Sequence, residues 1–494
     1  AGRCQTPALR LIYDNQKAID AAPGRKVYNT TGYFTKKNLP FILNHNYEGE
    51  DDMSKFLEDT AEHEHIYNCS APRDTTKTQP TPFTTSGLQQ ASSNELRISP
   101  KETMSICQKL YEGGYITYMR TDSTTYSKEF IDDAKKFIEK SYGDDYVRED
   151  IDSMSDRNET KKSKNSKKKK ADADNTAQEA HEAIRPTDVS LLEPDDDIEP
   201  RELRVYKLIR RNTLESCMAP ARYACISATI TAPNDFEYRY GSEQVVFAGW
   251  KVVAGYEKES AEYAFLRTIK NNSVLDYKNV TAKVTLKELK THYTEAKLVQ
   301  LLEQNGIGRP STFSSLVDKI QERNYVKKDN VKGKKVKCVD FELTDTELIE
   351  TETEREFGNE KGKLVIQPVG ILVIEFLIDK FDDMFNYEYT KSMEDMLDII
   401  AKGNKVWHEL CGECLEQINT LSEGLIEERV SIAIDKSHTY MVAKYGPVIK
   451  CNKGGKTTFK KVKEDIDIEK LRRGEYTLTD IIDDTSKSRD DLGK

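Results

Sequence analysis

The spacing of apolar positions changes period several times along this chain. From Ala1 to Tyr13 it is helical, and the predicted helix has no capping side chain ahead of it. Residues 25–70 read as short strands broken by polar turns, and the Thr- and Pro-rich stretch 75–85 as an extended connector. Ser99, Pro100 and Glu102 make a helix start with a capping box, followed by an apolar stripe of Met104, Cys107, Leu110 and Tyr111. Gly113-Gly114 stops that helix. Residues Gly114 to Ser123 then read as a short strand running into a polar turn. Ser127 caps a second helix with Phe130, Ala134, Phe137 and Ile138 on one face.

From Ala221 to Val284 the period is two, as in Ala224 to Thr231 and Gln244 to Trp250, and strands are expected throughout. Thr294 opens a helix with Leu298, Leu301 and Leu302 inward, and Gly306 to Pro310 breaks it. Ser311 or Thr312 caps the next helix, with Phe313, Leu316, Val317 and Ile320 inward, and Tyr325-Val326 ends the unit as a strand. This is a helix-turn-helix outline with a wing-like tail. Residues 364–403 carry two stripes read as core: Ile371, Leu372, Ile374, Phe376 and Leu377, then Met393, Met396, Leu397 and Ile400. Beyond 430 the pattern predicts short strands, a turn at Tyr445-Gly446-Pro447 and a small helix near Ile466 to Leu471. Residues 144–176 pass from an acidic half into the lysine run Lys161 to Lys170. That composition buries no core and reads as a disordered, solvated insertion.

Composition narrows the class. A chain of 494 residues holds several domains, and 37% apolar against 32% charged residues implies large solvated surfaces. No apolar run approaches the ~20 residues of a membrane span, and no signal peptide is visible, so an intracellular protein with no membrane partner is expected. The nine cysteines are scattered and read as reduced thiols. A net charge of −10 argues against a uniformly basic coat for nucleic acid. It leaves room for a local basic channel, because salt screens distant charges within about 10 Å.

Several segments carry candidate chemistry. Tyr118 and Arg120 are two apart, so in a strand both face the same side. A phenol can attack phosphorus while a guanidinium holds the non-bridging oxygens. Among 25 tyrosines that spacing alone is weak, and a packed ring beside a surface cation is the bland reading. The segment Ala180 to Pro186 gathers His181, Glu182 and Arg185, an imidazole, a carboxylate and a guanidinium suited to proton or phosphate work. Cys411 and Cys414 have zinc-ligand spacing, but no second pair follows, and even with His408 the set is one short, so no zinc is expected. No Gly-Lys-Ser/Thr phosphate loop is present, so ATP-driven action is unsupported. The acidic pairs Asp382-Asp383 and Asp483-Asp484 read as solvated surface.

Taken in order, these pieces resemble the type IA DNA topoisomerases, in particular the bacterial topoisomerase I branch. Ala1 to Arg10 is similar to the family's Ala-Gly-Arg-Val-Gln-Ser helix, which touches single-stranded DNA. Pro82 to Ser86 and Leu88-Gln89-Gln90 resemble the entry to its tyrosine domain, and Thr117 to Ser123 its nucleophile motif. Ala180 to Thr187 matches the His-Glu-Ala-Ile-Arg-Pro motif. Thr294-Glu295-Ala296 and Gly306 to Thr312 match the segment bearing a further DNA-contacting arginine. Met119 is as in topoisomerase I, where topoisomerase III usually has Pro.

The resemblance implies an α+β multidomain toroid, with helical tyrosine and DNA-binding domains joined by a β-strand arch. Residues 1–29 would open the DNA-binding domain, and 30–85 with 222–285 would form the hinged arch. Residues 86–221 would form the tyrosine domain with the lysine-rich insert at about 150–176, 286–428 the helical DNA-binding domain, and 429–494 a truncated C-terminal repeat. It implies Tyr118 as nucleophile, Arg120 as phosphate clamp and His181 as support for the phosphate or its proton. Ala1, Gly2, Arg3, Cys4, Gln5, Arg120, Thr121, Asp122, Arg185, Arg309, Ser311 and Thr312 would contact DNA. The implied reaction is transient cleavage of one strand through a 5′-phosphotyrosine, strand passage and religation, relaxing negatively supercoiled DNA without ATP. A monomer that works with DNA inside the cell is expected. Mg²⁺ is expected through a Toprim domain that this sequence does not contain, which implies a fragment. The alternative is a non-catalytic remnant that binds single strands. A recombinase or rolling-circle nickase would want an Arg-His-Arg set or a His-x-His pair, and neither is found.

Overall fold

The computed structural model describes residues 2–155, 182–194, 198–345, 347–423, 425, 431–443, 446–453, 456–463 and 466–483. Ala1, Tyr445, His181 and the lysine run lie outside the described residues. The chain forms two compact units, Ala1–Met396 and Leu397–Lys494.

In the first unit the predicted arch strands make one antiparallel sheet. Among the described residues it has ten strands. Its order is Glu347–Phe357, Lys334–Thr344, Asn279–Lys287, Arg25–Tyr33, Pro40–Leu43, Glu237–Phe247, Ala221–Thr231, Ile66–Cys69 and Ser273–Val274, with Arg73–Lys77 also paired to Ala221–Thr231. Alternation of side chains sends Tyr28, Phe41, Ile226, Ala228, Ile230, Tyr238, Val280, Ala282 and Val284 into one core. Two elements depart from the expected strands. Residues Glu50–Glu62 form a helix whose Met53, Phe56 and Leu57 cover that core, and Ala261–Leu266 forms another. Two eleven-residue strands, Lys334–Thr344 and Glu347–Phe357, extend the sheet from a region read as helical. Their apolar residues alternate with charges, so they look polar in sequence until Cys338, Phe341 and Leu343 find the sheet's core.

The helices around the motifs largely follow the pattern. The first runs Gln5–Asp20, starting four residues and ending seven residues later than predicted, with no side-chain cap at Cys4. Pro100–Glu112 is capped by Ser99, whose hydroxyl accepts from the Glu102 amide at 3.2 Å. The capping box is half made, because the Glu102 carboxylate turns instead to Arg201. Ser127 caps Lys128–Tyr142. Thr294 caps Glu295–Gln304, with Leu298 and Leu302 buried and Leu301 half-buried. Thr312 precedes Phe313–Glu322 without capping it, since its hydroxyl accepts from the Arg309 amide at 2.9 Å. The wing is the antiparallel pair Val326–Val331 and Glu360–Ile366.

Pro368–Phe385 kinks at Phe381 and is followed by Tyr387–Ala401. Ile374 and Leu377 of its first stripe are buried, but Leu372, Phe376 and Leu397 are exposed and are not core. In the second unit, strands Ser431–Ala433, His438–Ala443, Gly446–Lys453 and Lys456–Lys461 form an antiparallel sheet around Tyr440, Ile449 and Cys451. A short helix, Ile468–Arg472, follows as expected. No helix of the described residues is long and apolar enough to cross a membrane.

Candidate active site

Three distant segments are knotted together around Tyr118. The helix Pro100–Glu112 ends at Gly113, and Gly114 takes the left-handed conformation at φ +77°, which turns the chain outward. The Thr117 amide then donates to the Arg185 carbonyl at 2.9 Å, and its hydroxyl to the Ala183 carbonyl at 2.9 Å. Thr187 returns bonds to the carbonyls of Tyr115 and Gly114, at 3.0 and 2.7 Å. On the other flank the Thr85 hydroxyl donates to the Met119 carbonyl at 2.7 Å and accepts from the Thr121 amide at 2.8 Å. The Phe83 carbonyl accepts from Ile184 at 2.8 Å, so the three segments close on one another.

The loop holds itself by alternation. Met119 and Thr121 are buried, while Tyr118, Arg120 and Asp122 are exposed. The expected strand is therefore a single bridge, Ile116 to Pro186, continued as extended loop. A ladder is unnecessary because threonine hydroxyls and neighbouring backbone satisfy the polar groups. The expected common face survives: Tyr118 phenol and Arg120 guanidinium both point outward. The Tyr118 ring is 39% exposed and meets the Tyr111 ring edge-on at 5.3 Å between centroids.

Arg185 and Thr121 sit differently from these two. The Arg185 side chain is turned inward, bonded to Glu182 at 2.6 Å and lying over the Phe130 ring at 4.2 Å. Thr121 is buried and its hydroxyl accepts from the Ser123 amide.

A second cluster gathers at the start of the helix Gln5–Asp20. Arg3 Nη2 lies 2.7 Å from Glu394 Oε1, and the Cys4 thiol donates to the same oxygen at 3.1 Å. Arg309 Nη2 reaches Asp395 Oδ1 at 3.3 Å, and its Nη1 donates to the Gly308 carbonyl at 3.0 Å. Gly306 and Gly308 have φ of +67° and +81°, which shapes the turn that presents Arg309. Burial, then the bond to Glu394, pushes the Cys4 thiol up to about 12. One buried nitrogen of Arg3 and the buried Gln5 Oε1 have no partner among the described residues. Ser311 is exposed beside this cluster, and the Gly2 amide donates to the Thr6 hydroxyl at 3.4 Å.

Glu394 and Asp395 are what motif reading missed. They lie more than eighty residues beyond Arg309, on a helix read as a core stripe. Their only advance signal is an acidic pair interrupting that stripe between Met393 and Met396. The two clusters sit on packed elements: Pro100–Glu112 lies against Phe313–Glu322, with Lys101 Nζ 2.7 Å from Asp318.

Among the described residues no group of three or more His, Cys, Asp or Glu could hold a metal ion. Cys411 and Cys414 lie on one helix, Trp407–Ser422.

A family model described as DNA topoisomerase matches residues 1–340. A prokaryotic-type DNA topoisomerase 1 of Acanthamoeba polyphaga mimivirus is 30% identical, over 96% of this chain and 60% of that protein. DNA topoisomerase 1 of Haemophilus influenzae is 31% identical over 82% of this chain and 42% of its own length, and that of Helicobacter pylori 29% over 94% and 60%. The chain thus spans 60% or less of these relatives. The crystal structure of full-length topoisomerase I from Thermotoga maritima shares the fold, with a TM-score of 0.66 and 24% identity over 92% of this chain and 70% of that one. The chain belongs to the DNA topoisomerase family, in its type IA, bacterial topoisomerase I branch.

Proposed function

We propose that this chain carries the nucleophile and single-strand-binding residues of an ATP-independent type IA topoisomerase that relaxes negatively supercoiled DNA. The observation that supports this most is the outward pair Tyr118 and Arg120 on a loop held rigid by three motif segments. The Tyr118 oxygen attacks a backbone phosphorus, forming a 5′-phosphotyrosine as the bond to the 3′ oxygen breaks. The phenolic proton leaves and the 3′ oxygen gains one, so the adduct keeps one phosphodiester bond for another. After strand passage the 3′ hydroxyl reverses the attack, and no ATP is consumed. Arg120 stabilises the non-bridging oxygens as charge develops. His181 assists the phosphate or its proton, while Arg3, Gln5 and Arg309 hold the single strand by its backbone.

Magnesium enters only as the family's expectation. The described residues offer no cluster that fits it, and no step above runs through it.

The test is covalent capture of labelled single-stranded DNA by the full-length protein, read on a denaturing gel. Tyr118→Phe is expected to abolish the adduct while single-strand binding persists. An adduct that survives in the Phe variant would show that another residue is the nucleophile. Binding by the unaltered protein with no adduct at all would favour the alternative, a non-catalytic single-strand binder.

A further inference from the structure

Tyr118 stands on an extended loop, and its ring is steadied from one direction. Tyr111 meets it at 5.3 Å between centroids, with the ring planes at 68°. Among the described residues no hydrogen bond reaches the Tyr118 hydroxyl. Tyr111 itself comes from a stiffer element, the last turn of Pro100–Glu112. Ile106, Cys107 and Leu110 anchor that helix in the core, Ser99 caps its start, and Lys109 ties it to Glu202 at 2.5 Å.

Both rings are about 40% exposed, Tyr111 at 41% and Tyr118 at 39%, so the pair fills no core. Edge-to-face rings attract because the positive rim of one meets the negative face of the other, which selects an orientation as well as a distance. The consequence of the contact is therefore the aim of the Tyr118 ring. An attacking oxygen has to sit within about 3.5 Å of phosphorus and in line, and a ring free to swing spends little time there.

We infer that Tyr111 is a positioning residue for Tyr118: its ring, carried on a rigid helix, holds the nucleophile's ring in the orientation that presents the phenol oxygen to a DNA phosphate. This rests on Tyr118 being the nucleophile.

The experiment uses the full-length protein, a labelled single-stranded oligonucleotide, single-turnover covalent capture at saturating DNA, and affinity by anisotropy. Tyr111→Ala is expected to slow capture roughly threefold to tenfold, the range of one aromatic pair. Affinity and melting temperature stay as in the unaltered protein. Tyr111→Phe, which keeps the ring, restores the full rate, and Tyr111→His falls between. Capture at the unaltered rate in Tyr111→Ala overturns the inference. So does equal slowing in Tyr111→Phe, which would assign the effect to the hydroxyl. A loss confined to affinity, cured by saturation, also overturns it, because the ring would then be binding DNA. Tyr118→Phe is run alongside. If it still forms the adduct, the nucleophile reading fails; if it is dead and Tyr111→Ala is normal, only the positioning role fails.

Discussion

Replacing Glu394 with Gln is expected to tighten single-strand binding about fivefold. Glu394 Oε1 lies 2.7 Å from Arg3 Nη2 and 3.1 Å from the Cys4 sulfur. Gln keeps an oxygen in that place, so Arg3 and Cys4 keep their acceptor and only the negative charge goes. A phosphate on the open side of Arg3 would stand about 6 Å from the carboxylate. Two unit charges at that separation repel by about 0.7 kcal/mol in bulk water and about 2.8 kcal/mol at an effective dielectric of about 20. The Arg3 side chain is 33% exposed and that of Glu394 8%, so the site lies toward the wet end of this range. About 1 kcal/mol is a reasonable expectation, or about fivefold in Kd. Freeing one guanidinium to neutralise a phosphate also steepens the plot of log K against log salt by up to about 0.7. The assay is fluorescence anisotropy with a short oligonucleotide across about 50 to 200 mM salt, with melting temperature as a control on folding. Unchanged affinity and slope would refute the placement of Arg3 on DNA. Weaker binding in a well-folded Glu394→Gln protein would refute the charge argument.

Two further expectations come from shifted titrations. With its thiol pushed up to about 12, Cys4 carries about one thiolate in 10⁴ at pH 8, against about one in four for an ordinary cysteine near pKa 8.5. Iodoacetamide at pH 8 should therefore label Cys4 at least about a hundredfold more slowly than the exposed Cys411 by peptide mass spectrometry, and equal rates would refute the buried, Glu394-bonded placement. Burial pushes Glu215 up to about 7, against opposing pulls from Arg211 and Lys251. An acid whose folded pKa is raised costs nothing below its unfolded pKa of about 4.3. Its penalty grows as pH rises and is complete above about 7. Glu215→Gln should accordingly gain on the order of 1–3 kcal/mol at pH 8 and little at pH 4, read as a melting-temperature difference that opens with pH. A difference independent of pH would sink this account.

The local chemistry of the site was legible in the residues. Ser99 and Ser127 announced helix starts, Gly113-Gly114 announced a stop, and the alternation through Tyr118, Met119 and Arg120 put phenol and guanidinium on one side. These signals act over one or two turns of chain, where capping, left-handed φ and side-chain parity are decided by neighbours in sequence. The type of the Tyr118 segment was not legible. It looked like a strand and became a loop, because its partners are Thr85 and the 183–187 segment, whose hydroxyls and carbonyls replace a ladder.

What tertiary structure alone decided is which distant charges meet. Glu394 and Asp395 interrupt a stripe read as core, and Arg185 is expected on DNA. Folding set the first two against Arg3, Cys4 and Arg309, and turned the third inward onto Glu182 and Phe130. The stripe read as core itself split, with Ile374 buried and Leu372 and Phe376 left outside, and the charged strands 334–357 joined a sheet begun three hundred residues earlier. Helical period and charge report only that a face exists. Which surface that face meets depends on packing between elements far apart in the chain, and no local pattern encodes that distance.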